Sequence, residues 1–566
     1  MILGAACLAV ANAAILLGAH AVLVRVRVAD RAVNVALLLL LRLFLISVVV
    51  LLCGATGFLA PLPIALLSVF ALVLLAAFGC HRGVQVPFPD VHPALGVFLA
   101  IVLARLLAQV WFFSPYSGDA LSYHLPKIAE WTRAGGFTRE MGLDTHVTFP
   151  AGFELIETWW VLFLRHDVLI EMAGIEFLLL AFASTYALAS RLGLNHNFAL
   201  FAATLYGLTP GLHFQSTACV NDAPVAALYV ATMTLVASNS SIALTLLPVG
   251  LGIGIKPTFC YALVGIILVW WLARRAKEER SASTRATWLL SGLSLAAGAF
   301  WFARNLLWYG NPIHPVGAQG LKGSNPIQFG FRSGSLAGNL GDLVGHRIQD
   351  ASAPYGPYVN DISGWGTAIV ACGIIAFLLS MGSSAAFRRV AAGFVGSLVV
   401  VLALVIHDPW SMRFVLFFPA ILAIATARMA SESRGILGIA VAGLGLQFVA
   451  TALPKELPRE VFHELARQGW RERSMAKLYQ LDVPSDSIGY FADSRNVAYL
   501  WYRPDFSRRL VYLRAETADE LRAQLKKANA GFVYAAPAHS NHYAVVQECE
   551  SRSWLRRLRG FVYAVD

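Results

Sequence analysis

The stretch "SGDALSYHLPKIAEW" (117–131) places an isolated carboxylate, Asp119, just beyond the apolar run "ALGVFLAIVLARLLAQVWFF", and follows it with Tyr123, His124 and Lys127. Single ionisable residues then interrupt apolar surroundings further along. They are Asp222 in "ACVNDAPVAA", Lys256 in "GIGIKPTF", Arg304 and His314 in "WFARNLLWYGNPIHP", and His407, Asp408 and Arg413 in "HDPWSMRF". Burying such groups is costly, so several that meet at one depth mark a site. A carboxylate within reach of a hydroxyl acts as a base. Cations hold a phosphate and stabilise it as a leaving group. Two carboxylates with several cations therefore fit an amphipathic phosphate as ligand, handled by an enzyme or a transporter.

Each residue also has a plainer reading. Asp119 is placed to cap the short helix starting at "ALSYH", and Asp222 to cap the run that follows it. Lys256 has a stem long enough to snorkel. Arg304 needs either an anion or a structural acceptor, and Arg413 has Asp408 nearby in sequence. His124 and His314 fit packing or hydrogen-bonding roles, while Arg42 and Arg105 read as structural.

The elements that must position these residues are apolar. The chain of 566 residues is 57% hydrophobic and 14% charged, the composition of a polytopic membrane protein. Its net charge of +11 is scattered over loop ends rather than gathered in a stripe, which excludes nucleic acid as a partner. Apolar runs near 3–24, 33–58, 62–80, 93–113, 166–190, 197–214, 222–238, 241–255, 258–273, 287–308, 363–382, 389–406, 413–428 and 434–452 predict about fourteen spans. The first lacks a basic segment before it and reads as a span rather than a cleaved signal peptide. "RVRVADR", "ARRAKEERSASTR" and "AFRR" then share one side, cytoplasmic by the positive-inside rule.

"FELIETWWVLFLRH" (153–166) is too short for this scheme, and its tryptophan pair suits the headgroup layer. Residues 114–165 thus form one outward loop with two interfacial helices, and 309–362 a second outward loop with no evident regular element. After residue 452 the hydropathy falls. "SIGYFA", "RLVYL" and "GFVYAA" read as strands, "TADELRAQLKKANA" as a helix capped by Thr517, and "WLRRLRGFVYAVD" as a helix and a last strand. The expected fold is an α-helical polytopic membrane protein with a small C-terminal α/β extracytoplasmic domain. It divides into extra N-terminal spans (1–92), a membrane core (93–452) and a soluble domain (453–566). The seven cysteines show no metal-binding spacing and no disulfide framework, although Cys219 and Cys549 are placed to meet outside the membrane.

The ordered segments "SGDALSYHLPKIAEW", "FPAGFELIETWW", "ACVNDAPVAA", "GIGIKPTF", "WFARNLLWYGNPIHP" and "HDPWSMRFVLFFPAI" resemble those of bacterial GT-C-type glycosyltransferases, in the protein-mannosyltransferase and aminoarabinose-transferase-like group. The likeness covers about 93 to 430. It implies inverting transfer of a sugar from a polyprenyl-phosphate donor to a glycan, lipid or protein acceptor, at the outer side of a bacterial inner membrane. It maps catalytic acids onto Asp119 and Asp222, and donor-phosphate binding onto Lys256, Arg304 and Arg413. Tyr123, His124, Lys127, His314 and His407 stand as substrate contacts. Many relatives carry two adjacent acids in the first loop, whereas Asp119 is followed by Ala120, which points to catalysis without a metal. No cofactor is implied, with a divalent metal left open. The alternatives are a flippase or transporter of a lipid-linked sugar, and a non-catalytic scaffold of the same fold. A transporter favours ionisable residues at the midplane between repeated halves, whereas the acids here sit at span boundaries without a visible repeat.

Overall fold

The structure is a computed structural model. It describes residues 2–26, 28, 30–80, 91–112, 115, 117–139, 141–142, 145–276, 281–317, 320–323, 325–326, 364–405, 411–452, 483, 485–492, 498–503, 505–536, 542–559 and 561–566. The apolar runs become α1 (Ile2–Val26), α2 (Arg31–Thr56), α3 (Pro61–Ala77) and α4 (Pro93–Phe112). The first loop holds α5 (Leu125–Ala134) and α6 (Gly152–Leu162). The bundle continues as α7 (Met172–Arg191), α8 (His196–Gly207), α9 (Pro210–Gln215), α10 (Asp222–Ala237), α11 (Ile242–Ile255), α12 (Phe259–Arg275) and α13 (Arg285–Tyr309). It closes with α14 (Thr367–Ser380), α15 (Ala385–Leu404), α16 (Phe418–Glu432) and α17 (Arg434–Ala452). Among them α1, α2, α4, α7, α13 and α15 are long and apolar enough to cross a membrane.

Local sequence explains the boundaries. Asp30 Oδ1 accepts from Ala32 N at 2.8 Å to start α2, and Gly57, at φ 78°, ends it. Thr284 and Thr287 form a reciprocal capping box at the start of α13. The run read as one span over 197–214 breaks at Thr209, because Pro210 opens a new helix. Gly250 and Gly254 on α11 face Gly298 on α13 so closely that a Cβ at Gly254 would lie 2.9 Å from the Gly298 Cα. Small residues at that spacing let two helix backbones touch.

Hydrogen bonds between loops define two ends of the bundle. At one end Arg191 Nε donates to Ala237 O (3.1 Å), Ser281 N to Asn239 O (3.0 Å) and Arg428 Nη1 to Leu192 O (3.2 Å). Arg274, Arg275, Arg285, Arg388 and Arg389 lie on helix turns at this end. The other end gathers the start of α10, the end of α11, the approach to α16 and the first loop.

The first loop departs from expectation. Leu125 to Thr132 are all buried, and Trp159 is fully enclosed. Neither α5 nor α6 rests on a lipid surface; both are packed inside protein. The cause is polar partners on otherwise apolar faces: Trp159 Nε1 donates to Asn12 and Trp160 Nε1 to Glu176, which is paired with Arg42. With eleven residues, α6 rises only about 16 Å.

The C-terminal region builds β3 (Ser487–Ala492), β4 (Arg509–Tyr512), α18 (Ala518–Ala528), β5 (Phe532–Ala536), α19 (His542–Ser551), β6 (Leu555–Arg559) and β7 (Val562–Val565), after the two-residue strands β1 (Val316–Gly317) and β2 (Asn325–Pro326) of the second loop. Its sheet has the order β4-β3-β5-β7-β6, parallel from β4 to β5 and antiparallel beyond. "LRRLR" is therefore an edge strand, not the helix expected. Antiparallel pairing with β7 buries Leu555 and leaves Arg556 and Arg557 in solvent, so tertiary pairing overrides a helix-like pattern. Cys219 and Cys549 are free thiols buried in different apolar clusters, so they do not meet. Residues 327–363 of the second loop lie outside the described residues.

Candidate functional site

Four charges from four separate segments alternate in sign at one end of the bundle. Arg413, in a 3₁₀ turn over Ser411–Val415, donates from Nη1 to Asp119 Oδ2 at 2.7 Å. Its Nε lies 3.4 Å from Asp222 Oδ2. Lys256 Nζ donates to the other oxygen, Asp222 Oδ1, and stands 4.4 Å from the centre of the Phe414 ring. Tyr123, on the turn that follows Asp119, places its phenol under the influence of the Asp119 carboxylate. The plainer readings do not describe these acids, since neither caps its helix.

The two acids differ in access. The Asp119 side chain is 36% exposed and that of Asp222 only 3%. Asp119 can meet a ligand, whereas Asp222 is enclosed and holds the two cations at a fixed spacing. Burial raises the Asp119 carboxyl, but Arg413 beside it, with His124 and Lys256 behind, outweighs that effect and keeps it below its ordinary value. Burial, then the Asp119 carboxylate, pushes the Tyr123 phenol well above its usual range, so it remains a donor.

A second layer lies behind the first. Glu154 on α6, with no exposed surface, accepts from His124 Nδ1 at 2.8 Å and from Lys127 Nζ. Burial opposes its ionisation, yet Lys127 and His124 together bring its carboxyl down to about 2. His124 and Lys127 are thus committed to α6. Sequence reasoning passed over Glu154, although its signal, an acid within an apolar run, was the same as that of Asp222.

Arg304 and His314 belong to a second hydrogen-bonded group, centred on Asn305. Arg304 Nη2 donates to Thr148 O at 2.6 Å and to Asn305 Oδ1 at 2.7 Å. Asn305 Nδ2 reaches both Thr148 O and His314 O at 3.0 Å. This Arg-Asn pair brackets two turns, Thr145–Thr148 and the one carrying the cis His314–Pro315 bond. His146, on the first turn, lies 5.3 Å from the Tyr123 ring, and His314 stacks on Tyr309 at 4.2 Å. Asn305 and His146 are further residues that sequence reasoning did not single out. His407 lies outside the described residues. Among the described residues no three His, Cys, Asp or Glu side chains are grouped to hold a metal ion.

The chain matches no family model and no curated protein.

Proposed function

We propose that the protein is a membrane glycosyltransferase that moves a sugar from a polyprenyl-phosphate donor to an acceptor hydroxyl, with inversion. The observation that carries this reading is the meeting of Asp119, Arg413, Asp222 and Lys256 from segments almost 300 residues apart. An apolar cavity of about 180 Å³ between α4, α7 and α8, lined by Leu99, Val102, Leu106, Ile175, Leu178 and Phe182, supports a lipid tail as part of the ligand. The bundle's arginine-rich end supports an outward orientation for the site, by the positive-inside rule.

In this reading Asp119 accepts the proton of the acceptor hydroxyl. The acceptor oxygen attacks the anomeric carbon while the bond from that carbon to the phosphate oxygen breaks. The electron pair leaves on the phosphate, which Lys256 and Arg413 stabilise. Asp222 keeps both cations in place between turnovers. Asp119 is tied to Arg413 before the donor arrives, and a phosphate competing for that guanidinium releases it as a base.

The test is mass spectrometry of lipid extracts and envelope glycans from cells with and without the gene. Deletion should raise a polyprenyl-phosphate sugar and remove one glycan modification, and the wild-type gene should reverse both. Identical lipid and glycan profiles in the two strains would sink the reading.

A further inference from the structure

The segment that carries Asp119 is held from two sides. The π-helical turn Ala120–His124 runs straight into α5, and α5 has only ten residues. A helix this short does not hold itself in water. On one side Lys127 is paired with Glu154 of the bundle. On the other side the C-terminal sheet unit covers it. Ala120, Leu125 and Ile128 share one apolar cluster with Ile488, Leu500 and Trp501. Tyr502, next to the 3₁₀ turn Ala498–Trp501, donates from its hydroxyl to Glu130 Oε1 at 2.7 Å. Tyr499 donates to Asp167 Oδ2 at 3.0 Å, a tie between the sheet unit and the turn Asp167–Leu169 that follows the first loop. Glu130, 3% exposed, turns its other oxygen to Arg133.

We propose that the C-terminal sheet unit is part of the site's machinery: through Tyr502 and Glu130 it fixes the segment that presents Asp119 to the ligand. Tyr502 and Glu130 are positioning residues in this account, which rests on the transferase reading for its consequence but not for its geometry. Burial, then Tyr512 and the Glu130 carboxylate, pushes the Tyr502 phenol well above its ordinary value, so it stays a donor. The Tyr512 hydroxyl lies 2.9 Å from that of Tyr502.

The experiment is hydrogen exchange on the full-length protein in detergent, paired with glycan analysis of cells carrying each variant. Tyr502→Phe and Glu130→Ala should speed exchange in peptides covering 120–134 about tenfold, as loss of a hydrogen bond to a charged group would. Glu130→Gln keeps an acceptor and should restore most of the protection. Tyr512→Phe leaves the contact with Glu130 in place and should leave 120–134 unchanged, as α18 should be in every variant. Product formation in cells should fall with the protection, by roughly the same factor. Unchanged exchange at 120–134 in Tyr502→Phe overturns the proposal, as does equal loss of protection in α18 or in Tyr512→Phe. Faster exchange with undiminished product overturns the positioning role. Failure of the transferase reading is distinct: no product differs between strains with and without the gene, whatever the exchange shows.

Discussion

At the scale of single residues, each ionisable group set among apolar neighbours must find a partner. Asp119, Asp222, Lys256 and Arg413 find one another. Arg304 stands in an apolar run too, and its acceptors among the described residues are the Thr148 carbonyl and Asn305. These contacts tie Arg304 to the turn at Thr148 and to Asn305, which in turn reaches His314 O. Arg304→Ala should lower thermal stability by about 2 kcal/mol, the scale of a buried hydrogen bond to a charged group. Arg304→Lys should not restore it, because an ammonium cannot reproduce the forked geometry. Thermal unfolding of the purified variants checks both. At Lys256 the expectation differs: Lys256→Ala should leave folding nearly intact while donor lipid accumulates in cells, since Arg413 still faces Asp222. Loss of expression without any lipid change would return Lys256 to a structural role.

Among the elements, helix positions were legible because apolar runs bounded by turn residues leave little choice, as with α2 between Asp30 and Gly57. The environment of α5 and α6 was not. A short amphipathic helix looks the same in sequence whether its polar face meets headgroups or buried partners, and here those partners are Glu154, Glu176 and Tyr502, far apart along the chain. The Glu154–Lys127–His124 group has a consequence for pH. Glu154 has a depressed carboxyl, at about 2 against an ordinary 4.5, and burial likewise lowers His124 despite its pairing with Glu154. Both groups bind protons more readily when unfolded, so their stabilisation is complete above about pH 6.5 and is lost as pH falls. Melting temperature should therefore decline from pH 6.5 toward pH 4. Glu154→Gln should melt lower at pH 7.5, because Lys127 loses its counter-charge, yet lose less stability between pH 4.5 and pH 3, where the wild-type carboxyl takes up its proton on unfolding. A variant with the wild-type slope would contradict the assignment. Packing makes a separate claim: Gly254→Leu should abolish accumulation of folded protein, since α11 cannot then lie against α13.

Across the whole molecule, the loop charges predicted which segments share a face. The structure gathers Arg191, Arg274, Arg285 and Arg428 at the end opposite Asp119, through contacts such as Ser281 N to Asn239 O at 3.0 Å. The C-terminal sheet unit was legible as strands and a capped helix, but not as a partner of α5, because that contact joins residues 372 apart. Sidedness follows from single cysteines placed in a background without the seven native ones. Gly118→Cys and Ser551→Cys, both exposed, should react with an impermeant maleimide in intact cells, and Ser281→Cys only after lysis. Labelling of Ser281→Cys in intact cells would reverse the orientation. The account as a whole stands on one acid acting as the base. In cells lacking the native gene, Asp119→Asn should accumulate in the membrane at the wild-type level. Its glycan product should fall by about 10²- to 10⁴-fold while the polyprenyl-phosphate sugar builds up. Near wild-type product from a stably inserted Asp119→Asn protein would contradict it.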